Sequence, residues 1–139
     1  MTKLVNHNLY EIYELYNKDD KIILYIKILS INYDDNYINY RNDLLELYNK
    51  IYKELNRKMY IIIDMNSLEN SLFKIINNEL LYFKENINLL EFIIHKIYVL
   101  KEKSILSTVF ELMKPFMFKS KVETVIKKNL KKSLIDILD

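Results

Sequence analysis

Asn88-Leu89-Leu90-Glu91-Phe92-Ile93-Ile94-His95-Lys96-Ile97-Tyr98-Val99-Leu100-Lys101 is the stretch on which the fold turns. Read at 3.6 residues per turn, Leu89, Leu90, Phe92, Ile93, Ile94, Ile97, Tyr98, Val99 and Leu100 surround the axis instead of forming one stripe. A helix apolar on nearly all sides belongs in the middle of a bundle. The stretch therefore predicts a buried central helix, and the rest of the chain is read as amphipathic helices that cover it.

Working outward, residues 4–16 place Val5, Leu9, Ile12, Tyr13 and Tyr16 at helical spacing before the polar break at residues 17–20. Ile22, Tyr25, Ile26 and Leu29 resume the period. Leu44, Leu47, Tyr48, Ile51 and Leu55 form one stripe over residues 43–58, where Glu54 and Lys58 make an i,i+4 pair. Tyr60-Ile61-Ile62-Ile63 is β-branched, but without a visible strand partner it reads as a short helix or an ordered linker. Asn66 opens a run with Leu68, Leu72, Ile75, Ile76 and Leu80 inward. Residues 104–113 give another helix, kinked or stopped at Pro115, which lacks an N–H. Ser120 opens the last helix, with Val122, Ile126, Leu130, Leu134 and Ile137 inward. The pairs Asn8/Glu11, Asp43/Glu46, Asn66/Glu69, Asn88/Glu91 and Ser120/Glu123 have capping-box spacing. The sum is one all-α domain over residues 1–139, a bundle of six to eight helices around a hydrophobic central helix.

Composition narrows the chemistry. The 139 residues contain no Gly, no Cys and one Pro. A glycine-free chain has no dinucleotide-binding turn, phosphate-cradling loop, EF-hand glycine or nucleophile elbow. A cysteine-free chain has no disulfide, thiolate zinc site or cysteine nucleophile. Half of the residues are hydrophobic and the net charge is only +2, which argues for a packed core and against nucleic acid as a partner. The first residues form no signal-peptide core, and no apolar run reaches the roughly 20 residues that a bilayer span requires. The expected protein is an intracellular one without a membrane span.

Tyr37-Ile38-Asn39-Tyr40-Arg41-Asn42 resembles the Tyr-Ile-x-Trp-Arg-Asn segment of poxvirus Bcl-2-like proteins, which inhibit host innate-immune signalling; Tyr40 stands where the family has Trp. Asp19-Asp20-Lys21-Ile22 and Tyr52-Lys53-Glu54-Leu55 are weaker echoes in matching order. The resemblance implies a Bcl-2-like helical bundle in the host cell cytoplasm that binds an adaptor, kinase or helicase and blocks NF-κB or interferon regulatory factor activation. It also implies a homodimer, with Tyr33, Tyr37, Phe110, Phe116 and Phe118 as the candidate dimer or partner face. The alternative is an apoptosis inhibitor that sequesters a pro-apoptotic helix in a groove. Death-regulating relatives carry an Asn-Trp-Gly-Arg element, which a glycine-free chain with no Arg beyond residue 57 does not have.

Tyr37, Ile38, Tyr40, Arg41 and Asn42 are read as mainly structural: Tyr40 packs inward while Arg41 and Asn42 tie a helix end to its neighbour. No catalytic, cofactor or metal residue is expected. His95 follows Glu91 by four residues, as in a hydrogen bond on one helix. Asp19/Asp20 and Asp34/Asp35 read as solvated capping loops. Lys121, Lys127, Lys128, Lys131 and Lys132 read as a solvated helical face in preference to a site for nucleic acid or acidic lipid.

Overall fold

A computed structural model of the chain describes residues 2–7, 10–18, 21–29, 35–66, 85–100 and 123–139. Its centre is a six-stranded sheet in the order β1-β2-β3-β4-β5-β6. The strands are β1 (Thr2–Asn6), β2 (Tyr10–Lys18), β3 (Lys21–Ile28), β4 (Met59–Asp64), β5 (Ile94–Leu100) and β6 (Glu123–Lys127). The helices are α1 (Asp35–Leu55), α2 (Ile87–Ile93) and α3 (Leu130–Leu138). The expected all-α, Bcl-2-like bundle is therefore incorrect.

The two halves of the sheet are built differently. β1, β2 and β3 form an antiparallel meander, with β2 and β3 paired as far as Lys18↔Lys21. β3, β4, β5 and β6 are mutually parallel. A parallel neighbour needs a long crossover, which α1 supplies between β3 and β4. The parallel strands step in one direction, so crossovers of one hand put their helices on one face. Both α1 and α2 lie there.

On that first face Tyr40, Leu44, Tyr48 and Ile51 of α1 meet Ile22, Leu24, Ile26 and Ile28 of β3 and Met59, Ile61 and Ile63 of β4. Ile12 of β2 and Leu90 and Ile93 of α2 complete the cluster. On the second face Ile23, Tyr25, Ile62, Tyr98 and Leu100 pack with Ile137 of α3. Each fully buried Ile or Leu contributes about 1.5–3 kcal/mol of transfer free energy. α1 ends at Asn56, whose φ of 52° is the left-handed conformation that Asn tolerates. The Asn56 N–H donates to Tyr52 O at 2.7 Å.

The difference at the central strands has one physical cause. Strands buried on both faces are continuous apolar runs, and a continuous run satisfies a period of 3.6 as readily as a period of 2. Residues 22–26 are such a run, and they lie within β3. The stretch 88–101 divides: α2 ends at Ile93 and β5 begins at Ile94. Its all-round apolarity comes from a strand between two layers. Residues 60–63 are a strand after all, with β3 and β5 as the missing partners. Residues 4–16 are mostly β1 and β2, and the expected last helix divides into β6 and α3. The 43–58 stripe is helical and belongs to the longer α1. The expected helices at 66–80 and 104–113 fall almost wholly outside the described residues.

Candidate functional site: the α3 face and the strand ends beneath it

α3 is short, and its attachment is polar as well as apolar. Asn129, with extended backbone at φ −150°, caps it by accepting from Lys132 N at 3.0 Å. Ser133 and Ile137 are the buried positions, and Leu130 and Leu134 are half-buried against the second sheet face. Three ties reach up from the sheet. The Tyr98 hydroxyl donates to Asp136 Oδ2, Lys96 Nζ pairs with the same oxygen at 3.3 Å, and Lys21 Nζ donates to Ile137 O at 2.8 Å. Burial, followed by the Asp136 hydrogen bond, pushes the Tyr98 hydroxyl up to about 12. The hydrogen bonds from Tyr98 and then Lys96 hold Asp136 below the ordinary aspartate range.

The apolar arc of α3 is wider than the sheet covers. At 100° per residue it runs about 160° from Ile137 through Leu130, Leu134 and Leu138 to Ile135. Ile135 is 51% exposed and Leu138 42%. Leu130, Lys131, Leu134, Ile135, Leu138 and Asp139 line an open depression of about 540 Å3. Lys128, Lys131 and Lys132 are exposed beside it, and Lys127 is half-buried at the end of β6.

A second polar group lies across the neighbouring strand ends. Register places Glu11, Lys27 and Asp64 side by side on β2, β3 and β4. The Tyr25 hydroxyl donates to Asp64 Oδ2 at 2.5 Å, and Asn66 N donates to Asp64 Oδ1 at 3.0 Å. Burial, reinforced by that carboxylate, raises the Tyr25 pKa. Glu11 accepts from Tyr13 at 2.9 Å and pairs with Lys3, and the Lys3 hydrogen bond is the main cause of its lowered pKa. Both carboxylates are thus occupied by neighbours of their own sheet. Among the described residues there is no group of three or more His, Asp or Glu placed to hold a metal.

The residues singled out by sequence fall elsewhere. Tyr37, Ile38, Tyr40, Arg41 and Asn42 lie in the first two turns of α1. Tyr40 is buried and meets Tyr10 edge-on at 4.7 Å; Arg41 is also buried, while Asn42 is exposed. Tyr33, Phe110, Phe116 and Phe118 lie outside the described residues, as do Asp19, Asp20 and Asp34. Glu91 and His95 do not share a helix: the first is on α2, the second on β5, where His95 meets Tyr60 edge-on at 5.0 Å. His7 stacks on Tyr10 at 4.7 Å.

Sequence reasoning misses the Tyr98–Asp136 and Tyr25–Asp64 ties, because the helical period places both tyrosines on helices. The available signal was Asp136 itself, an acid within the apolar run Leu134-Ile135-Asp136-Ile137-Leu138. No protein-family model matches the chain, and no curated protein matches it. Among the described residues no helix is long and apolar enough to cross a membrane.

Proposed function

We propose that this protein acts by binding, with α3 as its docking element. The observation that carries the reading is the mismatch on α3: Ile135 and Leu138 stay exposed on a helix whose inner side is tied to the sheet by Tyr98, Lys96 and Lys21. An apolar surface held rigidly in water, rimmed by lysines, has the makings of an interface. Rigidity lowers the entropy cost of docking, since these side chains sit on a preformed helix.

Hydroxyl-radical footprinting of the full chain in buffer and in cell lysate tests this. Oxidation of Ile135 and Leu138 should fall in lysate, while that of Phe92, 60% exposed on α2, stays constant as the control. Equal α3 oxidation in both media refutes docking through α3.

A second reading is inhibition of innate-immune signalling through a bound host adaptor, kinase or helicase. It rests on the resemblance of residues 37–42, of which Asn39 and Asn42 are exposed on α1. NF-κB and interferon reporter assays with Asn39→Ala and Asn42→Ala test it; inhibition that is absent, or unchanged in both variants, removes it.

A further inference from the structure

Resting on that docking reading, we propose that the surface α3 meets is an anionic lipid bilayer. The composition of the face selects this partner. From Lys127 to Asp139 the chain reads KKNLKKSLIDILD, with four lysines against two aspartates, and Lys96 and Tyr98 engage one of those aspartates. The exposed apolar groups are aliphatic, and this segment has no aromatic residue and no arginine. Protein–protein interfaces are enriched in aromatics and arginine and depleted in lysine, the reverse of this face. Duplex or single-stranded nucleic acid gains nothing from exposed Ile135 and Leu138. An acidic bilayer uses both components: headgroups attract the lysines, and the acyl boundary accepts the aliphatic ridge.

The geometry agrees. Lys131 lies between Leu138 and Ile135 around the helix, so its methylene stem extends the apolar strip while its ammonium reaches outward to the headgroup layer. Lys132 lies beyond the Ile135 edge of the strip, with Asp139 beside it, Lys128 precedes the first turn, and α3 lies along the surface as an interfacial helix. The cap at Asn129 and the ties from β3 and β5 keep the helix formed before contact, so docking needs no unfolding of the second-face core.

The test is co-sedimentation of the full chain with vesicles of phosphatidylcholine alone and of phosphatidylcholine with phosphatidylserine. Binding is expected only with phosphatidylserine present, and it should weaken as salt is raised. Lys131→Gln with Lys132→Gln should weaken it about 25-fold, fivefold for each lysine. Ile135→Asn with Leu138→Asn should weaken it by at least about tenfold while leaving the urea midpoint in place, because both side chains are exposed. Equal binding to neutral vesicles, no binding to either, or binding indifferent to both double variants overturns the lipid assignment. If the vesicles fail but the α3 footprint still falls in membrane-cleared lysate, the docking surface is an acidic protein, or a nucleic acid where nuclease restores oxidation. If the footprint does not fall in any medium, the docking reading fails as well.

Discussion

The Tyr98 hydroxyl on β5 donates to the Asp136 carboxylate on α3, across 38 positions of sequence. Tyr25 on β3 makes the equivalent bond to Asp64, but there both partners belong to the sheet. Of these two, the Tyr98 bond fastens a helix, as the Tyr10 hydroxyl bond to Asp43 does for α1 at 3.3 Å. It joins a buried ring to a carboxylate that Lys96 also holds. With the Lys96 pair, the Lys21 tie and the buried Ile137, it holds α3 in place.

Tyr98→Phe keeps the ring and deletes the bond. A hydrogen bond to a charged acceptor contributes about 1.5–3 kcal/mol, and partial solvent access to Asp136 brings the expected loss to about 1 kcal/mol. Urea unfolding should report that loss, and amide exchange in α3 should quicken more than in β3 or β4. An unchanged midpoint together with unchanged exchange would show that the bond holds nothing.

Stability should fall at both ends of the pH scale. Asp136 and Glu11 have depressed pKa values in the fold, so their contribution is complete above the ordinary carboxylate range and is lost as pH drops below about 4. Tyr98 is the opposite case. Its folded value near 12 exceeds the ordinary value near 10, so the folded state holds the proton more tightly. Its contribution is complete below pH about 10 and disappears between about 10 and 12. Chemical denaturation across this range checks the signs: Asp136→Asn should flatten the acid limb, and Tyr98→Phe should soften the alkaline one.

Leu24→Ala removes a fully buried side chain from β3, beneath α1, and should cost about 2–5 kcal/mol. Ile135→Ala, at an exposed position, should stay within about 0.5 kcal/mol of the parent. Thermal or urea melts of the two variants, measured side by side, separate the sheet core from the docking face. Similar losses in both would contradict the burial pattern.

Asn129→Ala removes the side-chain acceptor for Lys132 N and should destabilise by about 1 kcal/mol, mostly through fraying of the first turn of α3. Asn129→Ser, which restores an acceptor, should recover most of the loss. Circular dichroism melts with exchange at Lys131 and Lys132 distinguish fraying from global loss.

What the sequence made legible was the presence of a core and little of its layering. The stripe Leu44, Tyr48 and Ile51 gave a true helix, because the outer face of α1 is polar and its period is unambiguous. Ile22-Ile23-Leu24-Tyr25-Ile26 fits the helical period and the strand period equally. Only the neighbours β2 and β4, invisible in a local window, make it a central strand. Glycine and proline would ordinarily mark the turns, and this chain has almost none, so the division at Ile93/Ile94 left no mark. The lysines beside α3 were seen, but the exposure of Ile135 and Leu138 depends on where the sheet stops covering the helix. That is a tertiary fact.

The strand order also governs how the chain reaches its shape. β1, β2 and β3 pair with neighbours a few residues away, so the meander closes cheaply and early. β3 and β4 meet only after the 30 residues between Ile28 and Met59 have been gathered in, an expensive closure that slows folding. The tie from Lys21 to Ile137 O spans 116 positions, but α3 follows β6 after only Lys128 and Asn129, so its docking waits on β6 and adds little loop of its own. α3 therefore docks with or after β6, the last strand in the sheet order. Wherever α3 is lifted off, Ile23, Tyr25 and Ile62 on the second face lie open to water along with the inner side of α3, so the undocked chain is the form most exposed to self-association.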